Sequence, residues 1–204
     1  MKPIPKDLLE KFAVHAEWLR TLGSAGQQLV LEDVDLSGMD LSERDLTEAV
    51  LPRVRFDQAV LRGCIFGGAN LASASFVEAD LAGADLTKAN LDYATFRHAS
   101  LRGARGFRAS FAQADFRYAD LTDANLFKAF LQDVRLDNAI LEGANLERAV
   151  LTGAWLEGVR LRGAQGVTSV IASRIYTGAE ESSKLEGEAA LQWLVQGQSR
   201  VEKS

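Results

Sequence analysis

The sequence predicts an all-β solenoid of square section, and two nested periodicities predict it. From Leu31 to about Gln165 every fifth residue is Leu or Phe: Leu31, Leu36, Leu41, Leu46, Leu51, Phe56, Leu61, Phe66 and onward to Leu161, with Gly106 the one break. We call this position the centre. Ala usually stands two residues before it and polar residues fill the rest, as in "ADLAGADLTKANLDYATF". A helix needs an apolar period near 3.6 and a strand a period of 2, and a period of five drifts out of phase with both. Sustained self-similarity marks a repeat architecture, in which each unit buries its apolar face only against its neighbours.

The second period counts the units in one coil. Phe takes the centre at Phe56, Phe76, Phe96 and Phe116, and Gly recurs at Gly63, Gly83, Gly103, Gly143 and Gly163, both series stepping by twenty. Four units therefore close a coil. Residues twenty apart stack about 4.8 Å apart along the axis, which gives roughly seven coils and a rod of roughly 30 Å.

At these residues the chain resembles the pentapeptide-repeat proteins, over about two thirds of its length. The resemblance implies a right-handed quadrilateral β-helix. Centres and the small residues two before them then point inward, and the other three positions of each unit point out. Ala beside a Leu/Phe stack keeps the backbone near the axis without leaving voids. Cys64 occupies one of these inward positions and is expected to be a small buried hydrophobe, not a reactive thiol. The expected division is 1–30 for an N-terminal capping helix and entry segment, 31–165 for the repeats, and 166–204 for a degenerate coil, a C-terminal helix and a tail.

Residues 5–22 predict a helix, with Pro5 in the first turn, an apolar stripe of Leu8, Phe12, Ala16 and Leu19, and Gly23 as the stop. Such a helix before a solenoid is a lid on the open first coil. His15 and Trp18 lie on or beside the stripe, and without a second ligand nearby His15 is expected to be a packed or capping residue. The entry segment "HAEWLRTLGSAGQQLVLEDVDLSG" also looks like that of some bacterial pentapeptide-repeat proteins. The first coil is acidic outside, with Glu32, Asp33, Asp35, Asp40, Glu43, Asp45 and Glu48 against Arg44. "DVDLSG" imitates the start of a calcium loop, but the twelfth position is Arg44 where a bidentate Glu is required.

The outward columns manage charge. Asp40, Val60, Asp80, Ser100 and Asp120 alternate acid with neutral; Asp35 faces Arg55 and Asp115 faces Arg135; Asn70 stacks on Asn90 and Asn125 on Asn145. Like charges opposite each other destabilise a sheet, and these columns largely avoid that. One column does not: Lys88, Arg108, Lys128 and Arg148 stack two residues after the centres of one face, beside Phe107 and Phe127. Two readings stand. The side chains splay into water near Glu147 or Asp123 at almost no net cost, or they form a binding face for acidic protein or for a nucleic-acid backbone with stacked bases.

Gly106 breaks the interior run in the same region. Either its missing side chain makes room for Phe96 and Phe111, or Phe107 turns inward to fill the gap. The glycine column two after the centres suits the positive φ of a type II turn, with a flat face for a partner backbone as the alternative. His98, between Glu78 and Tyr118, is expected to be a solvated surface residue.

Towards the C-terminus Phe130, Ile140, Val150 and Trp155 hold outward positions, and Ile171 and Tyr176 keep the five-residue phase through the decaying repeats. A second helix is expected at about 183 to 196, with Leu185, Ala189, Leu191, Leu194 and Val195 as its stripe, and a polar, frayed tail after Gln196. Phe130, Ile140, Val150, Trp155, Leu191 and Leu194 form a candidate C-terminal interface: the helix folds back over it, or two chains share it as a homodimer.

Catalysis finds no support. There is no Gly-rich phosphate loop, His15 and His98 are far apart in the rod, and carboxylates on a convex solenoid do not converge in a pocket. No cofactor or metal is expected. The start "MKPIPKDLLEKF" has no long apolar run, no window of 18 apolar residues exists, and a single cysteine excludes an intrachain disulfide framework. The expectation is a cytoplasmic chain with no membrane partner. Its net charge of −5 disfavours general nucleic-acid binding. The leading functional expectation is a non-enzymatic interaction scaffold or adaptor for another protein. The resemblance supplies the alternative, a DNA mimic that binds a type II topoisomerase such as gyrase. Mimicry needs regularly spaced negative charge, and acid here is dense only in the first coil.

Overall fold

The unit of the structure is a turn plus a single bridge residue. In the computed structural model, which describes residues 2–198, the residue two before the next centre donates its N–H to the preceding centre, as Ala59 does to Phe56 at 3.0 Å. The second turn residue between them has positive φ, +57° at Gln58 and +62° at Gly63. With positive φ at that position alone, the turn is type II. The next residue forms one parallel bridge to each neighbouring coil. From Val30↔Val50 to Asn145↔Gln165 every bridge in this series joins residues twenty apart, so four units make a coil.

Backbone donors are accounted for position by position. The centre donates to the coil ahead (Leu61 to the Asp80 carbonyl, 2.7 Å), and the bridge residue donates to the coil behind (Val60 to Met39, 2.9 Å). The second turn residue also donates ahead (Gly63 to Ala82, 3.1 Å). The first turn residue is left over. Where an Asp or Asn stands two residues earlier, it takes this N–H: Asp40 accepts from Ser42 at 3.0 Å, Asp85 from Thr87 at 2.9 Å and Asn125 from Phe127 at 3.1 Å. These Asx turns satisfy groups that would otherwise lack a protein partner. Where Val50 cannot serve, the turn residue is Pro52, which has no N–H.

The axis is a stack of side chains. Phe56, Phe76, Phe96 and Phe116 lie ring on ring, with centroids 5.1, 4.8 and 4.5 Å apart and planes within 7°. All four are fully buried, as is Cys64. Burial pushes the Cys64 thiol up to about 11, and its Sγ lies 2.8 Å from the Leu41 carbonyl it donates to. At Gly106 a Cβ would stand 3.0 Å from Leu126 and 3.3 Å from the Phe111 ring. The space of the missing side chain is filled by neighbouring core residues, so Phe107 stays outside.

The entry is covered by helix α1, Lys6–Arg20, with Pro5 as its N-cap. Its buried stripe is Leu8, Phe12 and His15; the expected Ala16 is exposed, because the helix presents positions spaced by four and three to the coil. The Arg44 guanidinium sits 4.5 Å over the Phe12 ring. His15 accepts the Leu29 N–H on Nδ1 at 3.0 Å and stacks on Trp18 at 5.7 Å. Its proton is therefore on Nε2, which is buried without a hydrogen-bond partner.

The far end departs from the sequence expectation. A 3-10 turn at Val167–Ser169 inserts one residue, so Val150 bridges Ile171, twenty-one residues on. Strand β1, Ala154–Trp155, pairs in parallel with β2, Arg174–Tyr176, in the same shifted register, and β2 pairs antiparallel with β3, Lys184–Glu186. Ile171 and Tyr176 thus lose the centre phase and face outward, while Ile175 is fully buried. Helix α2, Gly187–Gln198, starts later than expected because residues 184–186 are strand. It buries Ala190, Leu194 and Gly197, whereas Val195 is 38% exposed. Of the tail expected to fray after Gln196, Gly197 and Gln198 instead complete α2, with Gly197 buried against Leu161, and the rest lies outside the described residues.

Two outcomes test this account. Phe76→Ala removes a ring stacked on both sides and is expected to cost about 3 to 5 kcal/mol by chemical denaturation. His15 gives a pH dependence: burial holds its pKa below the usual 6.5, against Asp45 and the Thr47 carbonyl. The unfolded chain then binds the proton more readily, so stability is full above about pH 6.5 and falls as pH drops towards the folded value. Denaturation midpoints should decline over that window, and His15→Gln, whose amide oxygen accepts the same N–H without titrating, should flatten the decline.

Candidate functional site

The cationic column is built on the left-handed corner of one face. Lys88, Arg108, Lys128 and Arg148 have φ of +59°, +55°, +59° and +56°. This conformation costs a non-glycine residue about 1 to 2 kcal/mol. The corner one face earlier shows that the fold accepts glycine there, at Gly63, Gly83, Gly103, Gly143 and Gly163, all with positive φ. Each cation is nonetheless fixed to the rod: Lys88, Arg108 and Lys128 donate their N–H to Phe107, Phe127 and Glu147 of the next coil at 2.9, 3.2 and 3.0 Å, and Arg148 donates to Ser169 Oγ at 3.0 Å.

Counter-charge separates this column from the other arginines between Arg53 and Arg174. Asp80 is held by Arg62 at 2.5 Å, Asp85 by Arg105 at 2.5 Å and Asp120 by Arg102 at 2.9 Å; Asp115 is shared by Arg97 and Arg117. Arg135, bridged to Asp115, turns its side chain to Asp137 at 2.7 Å and over Trp155. In the acidic first coil Arg53 takes Glu32 and Asp33, and Arg55 reaches Asp35 at 3.4 Å. Arg53 holds the Asp33 carboxyl below its usual range by hydrogen bonding. Among the described residues Lys88, Arg108 and Lys128 have no carboxylate within 4.0 Å, and Arg148 only touches Glu147 at 3.9 Å. Asp123 leans over Gly143 instead of reaching the ladder.

Phe107 and Phe127 are half-buried and stacked, with centroids 5.6 Å apart and planes 15° from parallel. The Arg108 guanidinium lies 5.2 Å from the Phe107 centroid and the Lys128 ammonium 4.9 Å from that of Phe127. The rings face each other along the axis, so they turn their edges to solvent. Each of these two cations lies over the face of the ring that precedes it, a cation–π contact that holds it against the rod. Bases stack on ring faces, and this arrangement does not offer a free platform for them.

The other candidate set does not form one patch. Phe130 and Val150 share a column on the face after the ladder, with Phe130 43% exposed. Ile140 lies in the column of Asp120 and Arg160, on a different face. Trp155 is covered by Tyr176, with centroids 4.2 Å apart. Leu191 is half-buried, and Leu194 is fully buried within the chain. Leu194 and the stacked Trp155 therefore belong to closure of the rod end by its own β2 and α2. His98 is exposed and stacked on Tyr118 at 5.0 Å. Sequence reasoning missed the Asx caps and the arginines paired with an Asp eighteen residues on; the spacing itself was the signal, legible once the coil length is known.

Among the described residues no group of His, Cys, Asp and Glu is placed to hold a metal ion, and no helix is long and apolar enough to cross a membrane. A family model described as pentapeptide repeats matches residues 30–68, 64–103, 107–143 and 131–165, in eight copies. No curated protein sequence matches. Among solved structures, the chain is similar to HetL, a pentapeptide repeat protein involved in heterocyst differentiation regulation from the cyanobacterium Nostoc, at 24% identity over 79% of this chain and 96% of that one, with a TM-score of 0.32. A trypsin-treated form of QnrB1, a plasmid-mediated fluoroquinolone resistance protein, is 20% identical over 74% of this chain and 80% of its own, with a TM-score of 0.48. A pentapeptide repeat protein of the Arabidopsis thaliana thylakoid lumen is 36% identical over 58% of this chain and 68% of its own, with a TM-score of 0.31.

The ladder's conformation makes a prediction. Arg108→Gly removes a left-handed side chain and one of four stacked like charges, and is expected to raise stability by about 0.5 to 1 kcal/mol. A higher denaturation midpoint than the native chain is the measurement; a lower one would mean that Arg108 is held for stability.

Proposed function

The chain belongs to the pentapeptide-repeat family, and on that premise we propose that it is a right-handed, quadrilateral, non-enzymatic scaffold that docks another protein through the Lys88–Arg108–Lys128–Arg148 ladder. Right-handed winding is what connections between parallel β-segments nearly always adopt. One observation carries the docking role. Of the arginines from Arg53 to Arg174, Arg108 alone has no carboxylate within 4.0 Å among the described residues, and Lys88 and Lys128 beside it in the column have none either. The other arginines of that range each meet a carboxylate. Here positive charge accumulates at strained backbone positions that glycine could fill, so its use lies outside the chain.

The rod works in the cytoplasm in this reading. Its repeating polar groups close turns and pair with one another instead of lining a pocket, which is why catalysis is not part of the proposal. The alternative, a DNA mimic acting on gyrase, is the weaker reading because arginines pair with Asp80, Asp85, Asp115, Asp120, Asp133 and Glu142 along the rod, and among the described residues unpaired acid is concentrated in the first coil. A homodimer through the C-terminal end is also weaker, since Leu194 and Trp155 are used within the chain.

The test compares partners captured from a bacterial lysate by the native chain and by a variant carrying Lys88→Glu, Arg108→Glu, Lys128→Glu and Arg148→Glu. Proteins retained by the native chain and lost by the variant are the expected result. Identical sets would reduce the ladder to a solvated column. In parallel, the native chain should leave DNA supercoiling by gyrase unchanged; inhibition would bring the mimic reading forward.

A further inference from the structure

We propose that the segment docked on the ladder is an acidic polypeptide with apolar residues interspersed among its carboxylates, and not a nucleic acid; this rests on the reading of the ladder as a docking face. Three columns meet at one corner of the rod. Phe107 and Phe127 immediately precede Arg108 and Lys128 in the chain. After Arg108, Lys128 and Arg148 comes one buried alanine, Ala109, Ala129 or Ala149, and the chain then points outward again at Ser110, Phe130 and Val150; Lys88 is followed in the same way by Ala89 and Asn90. These outward residues are bridged into a single column that ends at Ile171. The cations therefore run up a ridge whose one flank carries Phe107 and Phe127 between Thr87 and Glu147, and whose other flank turns from polar Asn90 and Ser110 to apolar Phe130, Val150 and Ile171.

Both flanks are accessible. Phe130 is 43% and Ile171 57% exposed, while Phe107, Phe127 and Val150 are half-buried. Phosphates could satisfy the cations, but bases would meet ring edges on one side and, beside Lys128 and Arg148, the hydrocarbon of Phe130 and Val150 on the other. A peptide that mixes Glu or Asp with Leu or Phe satisfies all three columns together. Its carboxylates form charge-assisted hydrogen bonds to the ridge, and its apolar side chains leave water against the flanks. No internal ion pair within 4.0 Å has to break at Lys88, Arg108 or Lys128, because among the described residues none exists there. The net charge of −5 opposes a polyanion elsewhere on the rod and so favours this corner.

The experiment is an anisotropy titration of the full chain at physiological salt with three labelled probes. These are a short peptide of Glu with Leu at every third position, a peptide of Glu alone with the same length, and a single-stranded oligothymidylate of matching charge. The Glu/Leu peptide is expected to bind most tightly. The four-fold change of Lys88, Arg108, Lys128 and Arg148 to Glu should weaken it by about tenfold or more. Phe130→Ser with Val150→Ser should weaken the Glu/Leu peptide severalfold and leave the Glu peptide unchanged, with denaturation midpoints confirming that each variant is folded. Equal or tighter binding of the oligothymidylate, or equal binding of the two peptides, would overturn this proposal and leave the ladder a docking face for anions. If the native chain binds none of the probes, or the charge-reversed variant binds them all equally well, the docking reading falls too.

Discussion

Everything in this rod depends on satisfying five backbone N–H groups with a five-residue unit. Three donate to neighbouring coils and one closes the type II turn, which leaves the first turn residue, capped wherever an Asp or Asn stands two residues before it. An unpaired backbone donor costs on the order of 1 to 3 kcal/mol when buried, so the choice of Asp, Asn or Pro at these places follows from hydrogen bonding before any question of charge. The interior then has little freedom. A coil that advances one strand spacing per twenty residues brings Phe56, Phe76, Phe96 and Phe116 into ring contact, and Ala two before each centre is what fits beside them.

The same geometry makes the corners the places where a side chain departs from the best local solution. The second turn residue is held at positive φ in every unit of the regular rod, whatever its side chain. Glycine would relieve that strain, so a bulky residue there is a departure from the best local solution. On most columns the departure is offset by a neighbour: Arg53 at such a corner grips Asp33, and His98 stacks on Tyr118. On the cationic column Arg108 and Lys128 lie over Phe107 and Phe127, but among the described residues no carboxylate within 4.0 Å offsets Lys88, Arg108 or Lys128. Stability alone does not account for that choice, since unit charges about 4 Å apart repel by about 1 kcal/mol even in water.

Closure of the two ends follows a different logic from the repeats. At the entry, Leu8, Phe12 and His15 of α1 cover the first coil, and the His15 acceptor ties the Leu29 amide. At the exit, one inserted residue breaks the register, and a short antiparallel strand pair and α2 take over. Both devices cover the exposed edge that a solenoid otherwise presents to other chains.

The five- and twenty-residue periods determined by themselves the coil length, the inward set, the stacked Phe column and the stacked cations, because residues at a fixed separation must meet when the backbone repeats. They also placed Cys64 in the core and made turn chemistry the first reading of the glycine column. Whether Phe107 faces out, where Ile171 and Tyr176 point, and which arginine takes which carboxylate were decided only in three dimensions. Filling of the Gly106 gap is a question of volume between Phe111 and Leu126. The phase of the last coil depends on one residue added in a 3-10 turn, a change that leaves the apolar pattern looking intact. Ion pairing depends on side-chain reach between coils: Arg135 stands beside Asp115 in its column yet bonds Asp137. The absence of counter-charge at Lys88, Arg108 and Lys128 belongs to this second group, and it is what turns a stack of cations into a candidate site.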